Sequence, residues 1–230
     1  MPRKRRDDLR EATYEDIKTA ARKLMADQGT AGLSLRGIAR ELGMTAPALY
    51  YYYDNLDSLI TTLIVEDYHH LADAMESARD AHADQAHRQQ LVAVMQAYRR
   101  WALEHPIDFQ LIYGNPIPGY EAPGDLTVPA ASRALSVSAG IIADGLGKGV
   151  FHVPVEAAQL PESVCVAFRQ IAEERGYKHM PVEAIYLAVI GWTRAQGLIS
   201  LEIYNSLQPV VGDTEAFYQH QIDTLIHLLE

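Results

Sequence analysis

Residues 33–60, LSLRGIARELGMTAPALYYYYDNLDSLI, predict two short helices joined by a glycine turn. Ser34 is a good N-cap for the first helix, because its hydroxyl can accept a hydrogen bond from a backbone N–H near the helix start. Gly43 suits the turn, since glycine tolerates the left-handed conformation that a sharp connection needs. The first helix has one apolar face, with residues at i, i+3, i+4 and i+7: Leu35, Ile38, Ala39 and Leu42.

The second short helix carries an unusual run of four tyrosines, Tyr50–Tyr53. Thr45 is placed to cap this helix, and Pro47 lies in its first turn, where a missing N–H costs nothing. We expect the helix to end near Tyr53. Four consecutive side chains cannot all face one core, so at least two tyrosines should point outward.

Outward tyrosines on a short helix suit a DNA surface. A phenol hydroxyl can donate to a phosphate oxygen while its ring packs on a sugar or a thymine methyl. Arg36 lies on the polar face of the first helix, within reach of guanine or phosphate. The alternative interpretation is that the tyrosines cover an amphipathic seam and that Arg36 is simply solvated.

This segment resembles the DNA-binding domain of TetR-type (TetR/AcrR) transcriptional regulators. The residues that match the family's pattern are Ile38-Ala39, Leu42-Gly43-Met44, Pro47, Leu49-Tyr50, Asn55 and Leu59-Ile60. Residues 14–29 are similar to the family's first helix, and Gly29 stands at its C-terminal end. The resemblance covers about residues 10–70.

The resemblance implies that residues 45–52 form a helix that reads DNA. It places Thr45, Ala46, Pro47 and Tyr51 near bases, and Tyr50 and Tyr52 towards phosphates. Arg36 would be the base-reading arginine of the preceding helix. The complete set of expected DNA-binding residues is Ser34, Arg36, Thr45, Ala46, Pro47, Tyr50, Tyr51, Tyr52 and Asn55.

The chain departs from the family pattern at Leu56, where many members carry a lysine that holds a phosphate. Loss of a phosphate contact lowers affinity and flattens its salt dependence. Binding could then depend on the backbone amides at the Asn55 helix start or on an N-terminal arm. Alternatively, Leu56 packs under the domain.

Charge is distributed unevenly along the chain, whose net charge is −10. Residues 1–60 hold ten Lys/Arg against nine Asp/Glu, whereas residues 61–230 hold ten against twenty-one. Since DNA binding depends on local charge, the acidic total does not argue against it. The run Arg3-Lys4-Arg5-Arg6 is interpreted either as a disordered arm along phosphates or in a minor groove, or as a solvated terminus.

Length and composition indicate a protein with one small and one larger domain. The 230 residues are 48% hydrophobic, enough for a sizeable core. No uninterrupted apolar run approaches the roughly 18 residues of a membrane helix, and no signal-like stretch follows the N-terminus. We expect a soluble, cytoplasmic protein without a membrane partner. The single cysteine, Cys165, excludes an intrachain disulfide and is interpreted as a small hydrophobe.

The fold predicted is all-α. A three-helix helix-turn-helix DNA-binding domain, residues 10–60, precedes a helical ligand-binding and dimerisation domain, residues 61–230. Residues 108–113 are expected to form a turn, and residues 114–129 a long loop that serves as a lid or pocket wall. The helices expected beyond the first domain span residues 59–81, 85–104, 129–148, 161–175, 181–207 and 213–229.

The last two helices are expected to form a dimer interface. Residues 182–204 hold too many apolar and small side chains to bury on one narrow face. In TetR-type proteins these helices pair with those of a second subunit as a four-helix bundle, and Trp192–Glu202 resembles a Trp-x-x-x-His-Gly-Leu signature with Gln196 replacing the histidine. The alternative is burial within one subunit. The residues expected at the interface are Ile185, Ala188, Val189, Trp192, Gln196 and Ile199.

Two-fold pairing would place the two reading helices about 34–36 Å apart, or a multiple of that distance, facing a pseudo-palindromic operator.

A regulator of this type should hold an inducer, and aromatic residues near the long loop could wall an apolar pocket. Ordinary core packing is the competing interpretation, and His105 before Pro106 could simply cap a helix. The histidines do not have metal-ligand spacing, and we expect no cofactor and no metal. The expected pocket residues are Met95, Trp101, His105, Phe109, Tyr113, Tyr120 and Phe151.

Enzyme motifs are lacking. The glycines at 145, 147 and 149 have no preceding strand and no phosphate-loop pattern, and no Gly-x-Ser-x-Gly elbow occurs. The sequence therefore predicts a dimeric regulator that binds double-stranded operator DNA, a repressor released by a small apolar ligand. The alternatives are a helical interaction protein that has lost DNA reading, and an activator.

Overall fold

In the computed structural model, every regular element is a helix within the described residues, 3–155, 159–174 and 180–230; side chains are described from residue 7 onward. The predicted all-α class is confirmed. A 3₁₀ turn at Thr30–Gly32 follows the first helix. The helices are α1 (Arg3–Gln28), α2 (Leu35–Glu41), α3 (Ala46–Tyr50), α4 (Leu56–Ala81), α5 (His87–Glu104), α6 (Pro106–Tyr113), α7 (Gly124–Gly147), α8 (Glu162–Glu174), α9 (Val182–Ile203), α10 (Gln208–Val211) and α11 (Thr214–His227).

The helix-turn-helix forms as the sequence predicted. The Ser34 hydroxyl accepts a hydrogen bond from the Gly37 N–H at 3.1 Å, and the Thr45 hydroxyl accepts from the Ala48 N–H at 3.4 Å. Gly43 takes φ +64° in the turn between the two helices. These caps satisfy N–H groups that neither helix can pair internally.

Helix α1 begins at Arg3, well before the expected start near Tyr14. The interpretation of residues 3–6 as a disordered arm is therefore wrong for their backbone, which is helical. The physical reason is local: residues 3–13 contain neither glycine nor proline and consist largely of residues with good helix propensity. The side chains of residues 3–6 lie outside the described part of the chain.

Three predicted boundaries beyond α4 are wrong. Residues 106–113 form helix α6 rather than a turn, with Pro106 at a first-turn position that suits proline. Helix α7 starts at Gly124, so that Pro129 lies inside it and the loop is shorter than expected. Helix α9 ends at Ile203, because Asn205 takes a left-handed φ of +53°. The expected last residue of α8, at 175, lies outside the described residues.

The chain forms two units that differ from the expected division at residue 60. The first unit combines the chain up to Asp67 with His105–Thr127, and the second combines Tyr68–Glu104 with Val128–Glu230. Helix α6, expected in the larger domain, therefore belongs to the same unit as the helix-turn-helix.

Buried ion pairs hold α6 in the first unit. The Arg22 guanidinium on α1 lies 2.6 Å from Asp67 Oδ1 on α4 and 2.7 Å from Asp108 Oδ1 on α6. The side chain of Asp67 is fully buried, and its second oxygen has no hydrogen-bond partner among the described residues. Burial and the neighbouring Asp108 charge raise the pKa of Asp67 to about 7, against the opposing effect of Arg22.

This raised pKa makes stability depend on pH. A carboxyl with a raised pKa contributes most below its unfolded pKa, and that contribution is lost as pH rises through about 7. Asp67→Asn removes the titration, so the free energy of unfolding of the wild type should fall relative to the variant by about 2–3 kcal/mol between pH 5 and 8. Urea unfolding at several pH values measures this difference. Asp84→Asn, at an exposed site, is the control, and a difference that stays constant with pH would refute the assignment.

Candidate nucleic-acid interface

Helix α3, which with its caps Thr45 and Tyr51 we call the reading helix, exposes two of its tyrosines. Tyr50 is 49% exposed and Tyr51 is 65% exposed, whereas Leu49 between the two short helices is fully buried. The expectation that at least two tyrosines point outward agrees with this geometry. Leu49 anchors the helix, so its opposite side is free to face a large partner.

The other two tyrosines turn inward onto α1. Tyr53 is 7% exposed, and burial raises its pKa to about 12. The Tyr14 ring meets the Tyr52 and Tyr53 rings edge to face, with centroids 5.1 and 5.6 Å apart. Tyr51 in turn meets Tyr52 at 5.3 Å. Since such geometry is favourable for aromatic pairs, α1 fixes the end of the reading helix through four rings.

The cations of the first unit fall into two groups. Lys18 binds Glu15 and Glu66 at 2.6 and 2.7 Å, Lys23 binds Glu41, and Arg22 binds the buried carboxylates described above. These pairs leave little net positive charge where they lie.

In the first unit, three arginines with described side chains remain without an ion pair to any described residue: Arg10, Arg36 and Arg40. Arg36 and Arg40 are exposed and stand four residues apart on α2, which places them on one face of that helix. Uncompensated, exposed guanidinium groups beside exposed phenols form a surface that suits a polyanion.

The remaining predicted contacts are at helix starts. Ser34, Thr45 and Pro47 are exposed, and Ala46 is half-buried. Asn55 is exposed, but its Oδ1 accepts a hydrogen bond from the Ser58 N–H at 2.8 Å and so caps α4. Their assignment as DNA contacts stays a prediction.

Leu56 is the first residue of α4 and is half-buried. This position agrees with packing against the domain.

Sequence reasoning missed Arg10 and Arg40. The signal for Arg40 was present, since its i+4 spacing from Arg36 puts both on one face of a predicted helix. Arg10 was missed because α1 was expected to start at Tyr14, which left Arg10 outside any ordered element.

The second unit contains an apolar cavity of about 300 Å³, partly open to solvent. Its described lining contains no charged side chain, and Ser138 and Tyr186 supply the hydroxyl groups. Among the described residues, the hydrogen-bond partner of the Ser138 hydroxyl is a poor acceptor, the Met95 sulfur at 3.9 Å. Aliphatic walls come from α5, α7, α9 and α11, among them Leu91, Ile142, Leu187, Ile222 and Leu225.

The predicted pocket residues are divided between the units. Of those in the second unit, Met95 lines the cavity, whereas Trp101 and Phe151 are buried at 5% and 2% exposure outside its lining. The rest lie in the first unit: His105 caps α6, Phe109 packs on Tyr113 with centroids 5.1 Å apart, and Tyr120 shares a 2.9 Å hydrogen bond with Thr61. Met95 is thus the member of the set that lies at this cavity.

Of the six predicted dimerisation residues, three are buried and three are at least partly exposed. Ile185, Ala188 and Ile199 are buried within the subunit, at 5%, 2% and 0% exposure, so their side chains are unavailable to a partner. Trp192 is 36% exposed, and Val189 and Gln196 are half-buried. These three stay predicted interface residues.

Helices α7 and α9 are long and apolar enough to cross a membrane by length and composition, although the sequence has no uninterrupted apolar run of that length. Half of the apolar window of α7 is buried within the protein, but only 28% of that of α9. Many side chains of α9 are therefore only partly covered, and three large apolar ones are exposed: Ile190, Trp192 and Leu201.

Two sequence families match this chain. The family described as bacterial regulatory proteins, tetR family, matches residues 17–62, which contain the reading helix. The family described as tetracyclin repressor-like, C-terminal domain, matches residues 91–225, more than half of the chain. The chain belongs to the TetR family of transcriptional regulators. This TetR-family protein is therefore a transcriptional regulator and not an enzyme.

Relatives of this TetR-family protein carry matching names. The HTH-type transcriptional regulator Rv1816 of Mycobacterium tuberculosis is 35% identical over 200 residues, covering 87% of this chain and 84% of its own. The crystal structure of the regulatory protein SCO4313 superposes with a TM-score of 0.76 at 29% identity, covering 99% of this chain and all of that one. The TetR-family regulator PfmR of Thermus thermophilus, at 17% identity, TM-score 0.63 and coverage of 93% and 95%, shares the fold.

Removal of an exposed reading group should weaken specific DNA binding. Arg36→Ala and Tyr50→Ala are each expected to cost about 1–3 kcal/mol, because each deletes a base or phosphate contact. Fluorescence anisotropy with a duplex selected by the wild-type protein from a random library measures the loss. Arg79→Ala, which removes a partly exposed arginine of the second unit, is the control. Wild-type affinity in both variants would show that the interface is misassigned.

Proposed function

We propose that this TetR-family regulator is a cytoplasmic homodimer that represses transcription by occupying an operator and leaves it when a small apolar ligand binds. The observation that carries the proposal is α9, a 22-residue helix whose apolar window is only 28% buried by its own subunit. Repression needs only occupancy of the operator, so no second interaction surface is required for it.

Burial by a second copy accounts for the uncovered face of α9. Ile190 and Trp192 are each 36% exposed and Leu201 is 47% exposed. Exposure of such apolar surface to water is unfavourable, and a partner that buries it would stabilise the assembly. Gly197 lies on the same helix with no heavy atom of the described chain within 4 Å of its ideal Cβ position. An apolar surface with small residues allows close approach of a neighbouring helix. A two-fold dimer would present two reading helices to a pseudo-palindromic operator.

Gly197 offers a clean test of the dimer. The Cβ of Gly197→Leu would meet no heavy atom of the described chain within 4 Å beyond the backbone of its own helix. Leucine also improves helix propensity, so the folded subunit should persist. At a dimer interface the new side chain overpacks, and dimer affinity should fall by about tenfold or more. Gly140→Leu, at an equally open helical glycine of α7, is the control. Sedimentation velocity measures the dimer affinity of the wild type and of both variants. If Gly197→Leu dimerises as the wild type does, the interface lies elsewhere.

The cavity of the second unit supports binding of an uncharged, largely aliphatic ligand. About 300 Å³ lies at the small end of ligand pockets. A carboxylate would lose its hydration there without gaining a charged partner, whereas a hydroxyl could bond to Ser138, whose present acceptor is a thioether. Helix α4 runs unbroken from the first unit into the second. A ligand that favours one conformation of the second unit can therefore change the position of the reading helix through α4.

Gly191 lines the cavity, so a larger side chain there is expected to occupy part of it. Its ideal Cβ position has no heavy atom of the described chain within 4 Å. In the wild type, 1-decanol should raise the melting temperature more than decanoate does and should release DNA. Gly191→Leu should still bind DNA but lose the response to 1-decanol, while Gly140→Leu keeps it. Thermal shift and DNA release are measured together, and a full response in Gly191→Leu would refute this ligand site.

A helical interaction protein that no longer reads DNA is the rival. DNA reading is favoured by the exposed phenols of Tyr50 and Tyr51 and by the exposed Arg36 and Arg40, which form no ion pair among the described residues. Such a surface suits a polyanion. An activator would share the DNA surface but would raise transcription from a reporter that carries the selected site. We expect a repressor to lower it.

A further inference from the structure

The N-terminal extension of α1 brings Arg10 to the reading helix. The guanidinium carbon lies 5.6 Å from the centroid of the Tyr14 ring and 5.6 Å from that of the Tyr51 ring. One N–H group donates to the Tyr14 hydroxyl at 3.2 Å. Arg10 thus links the first helix to the last residue of the reading helix.

The guanidinium of Arg10 is fixed in place and yet keeps most of its hydrogen-bonding capacity. It has five N–H donors, and among the described residues it makes one hydrogen bond and no ion pair. Its side chain is exposed. The hydrogen bond to Tyr14 raises the pKa of Arg10 above the ordinary value for arginine, so the side chain stays cationic.

Charge pairing in the first unit sets Arg10 apart from the structural cations. Lys18, Arg22 and Lys23 each contact at least one carboxylate. The contacts of Arg10 with residues whose side chains are described are with Tyr14 and Tyr51. A carboxylate partner would neutralise a cation, but an aromatic ring holds it without neutralising it. The positive charge beside Tyr51 therefore remains available to an anion.

We propose that Arg10 binds a phosphate of the DNA backbone next to Tyr51, so that α1 itself contributes a contact to the DNA interface. The inference rests on DNA binding by the reading helix. Tyr51 is 65% exposed, and a phosphate at its phenol would lie within reach of the guanidinium 5.6 Å from the same ring. A guanidinium fork matches phosphate geometry with two parallel hydrogen bonds. Contacts with two rings restrict the long side chain before DNA arrives, which lowers the entropic cost of binding.

Salt dependence separates a phosphate contact from a merely structural role. Binding of the wild type, Arg10→Gln and Arg10→Lys is measured by anisotropy over a range of potassium chloride concentrations. The probes are a labelled duplex selected by the wild type from a random library and a scrambled duplex of equal length. Each lost phosphate contact lowers the slope of log affinity against log salt by about 0.9, so a protein that binds as a dimer should lose about 1.8.

For Arg10→Gln we expect that smaller slope and a similar weakening, about tenfold, on both duplexes. Arg10→Lys should retain the wild-type slope, because it keeps the charge. Arg79→Ala should match the wild type in slope and affinity, and circular dichroism should show equal helix content in all variants.

Two results would overturn the proposal. Weaker binding of Arg10→Gln with an unchanged salt slope would mean that Arg10 only supports Tyr51, and unchanged binding would mean that it does neither. A wild type that binds neither duplex would instead remove DNA reading itself, and the inference would fall with it. Binding by the wild type therefore distinguishes a failure of the Arg10 inference, in which the wild type still binds DNA, from a failure of DNA binding itself.

Discussion

Everything at the interface depends on how a helix of five residues is held in place. So short a helix has no stability of its own, because nucleation costs more than one turn of hydrogen bonds returns. The buried side chain of Leu49 anchors the helix in the core, and the Tyr14 ring packs edge to face against Tyr52 and Tyr53. The packing of Leu49, Tyr52 and Tyr53 thus positions the exposed phenols, and fixed positions allow a small surface to discriminate among base pairs.

The charged side chains of the first unit fall into two groups, those that join helices and those that lie near the reading helix. Cations that join helices are matched with carboxylates, even where burial is costly, as for Arg22 between Asp67 and Asp108. Cations beside the reading helix have no such match among the residues whose side chains are described. An acidic protein can therefore bind an acidic polymer, since the potential at the interface depends on the few unpaired groups within a Debye length rather than on the total charge.

Sequence patterns predicted the helix-turn-helix well because its signals are local. Caps at Ser34 and Thr45, the turn at Gly43 and the apolar face of α2 each act within a few residues. Long-range contacts could not be read in the same way. Nothing near Asp108 in the sequence shows that Arg22 binds it, and no periodicity tells which apolar side of α9 its own subunit covers. Domain membership of α6 and the division of the predicted pocket residues follow from such contacts.

The first unit is assembled from two separate stretches of chain, with α5 and the second half of α4 between them in the sequence. Its completion requires closure of a long loop between Asp67 and His105, which should make it a late event in folding. The same topology limits protein engineering. Consider a chimaeric regulator in which only the helix-turn-helix of this chain is joined to a foreign effector domain. Arg22 would then lose its ion-pair partner Asp108 on α6. Such a chimaera therefore has to include α6 as well.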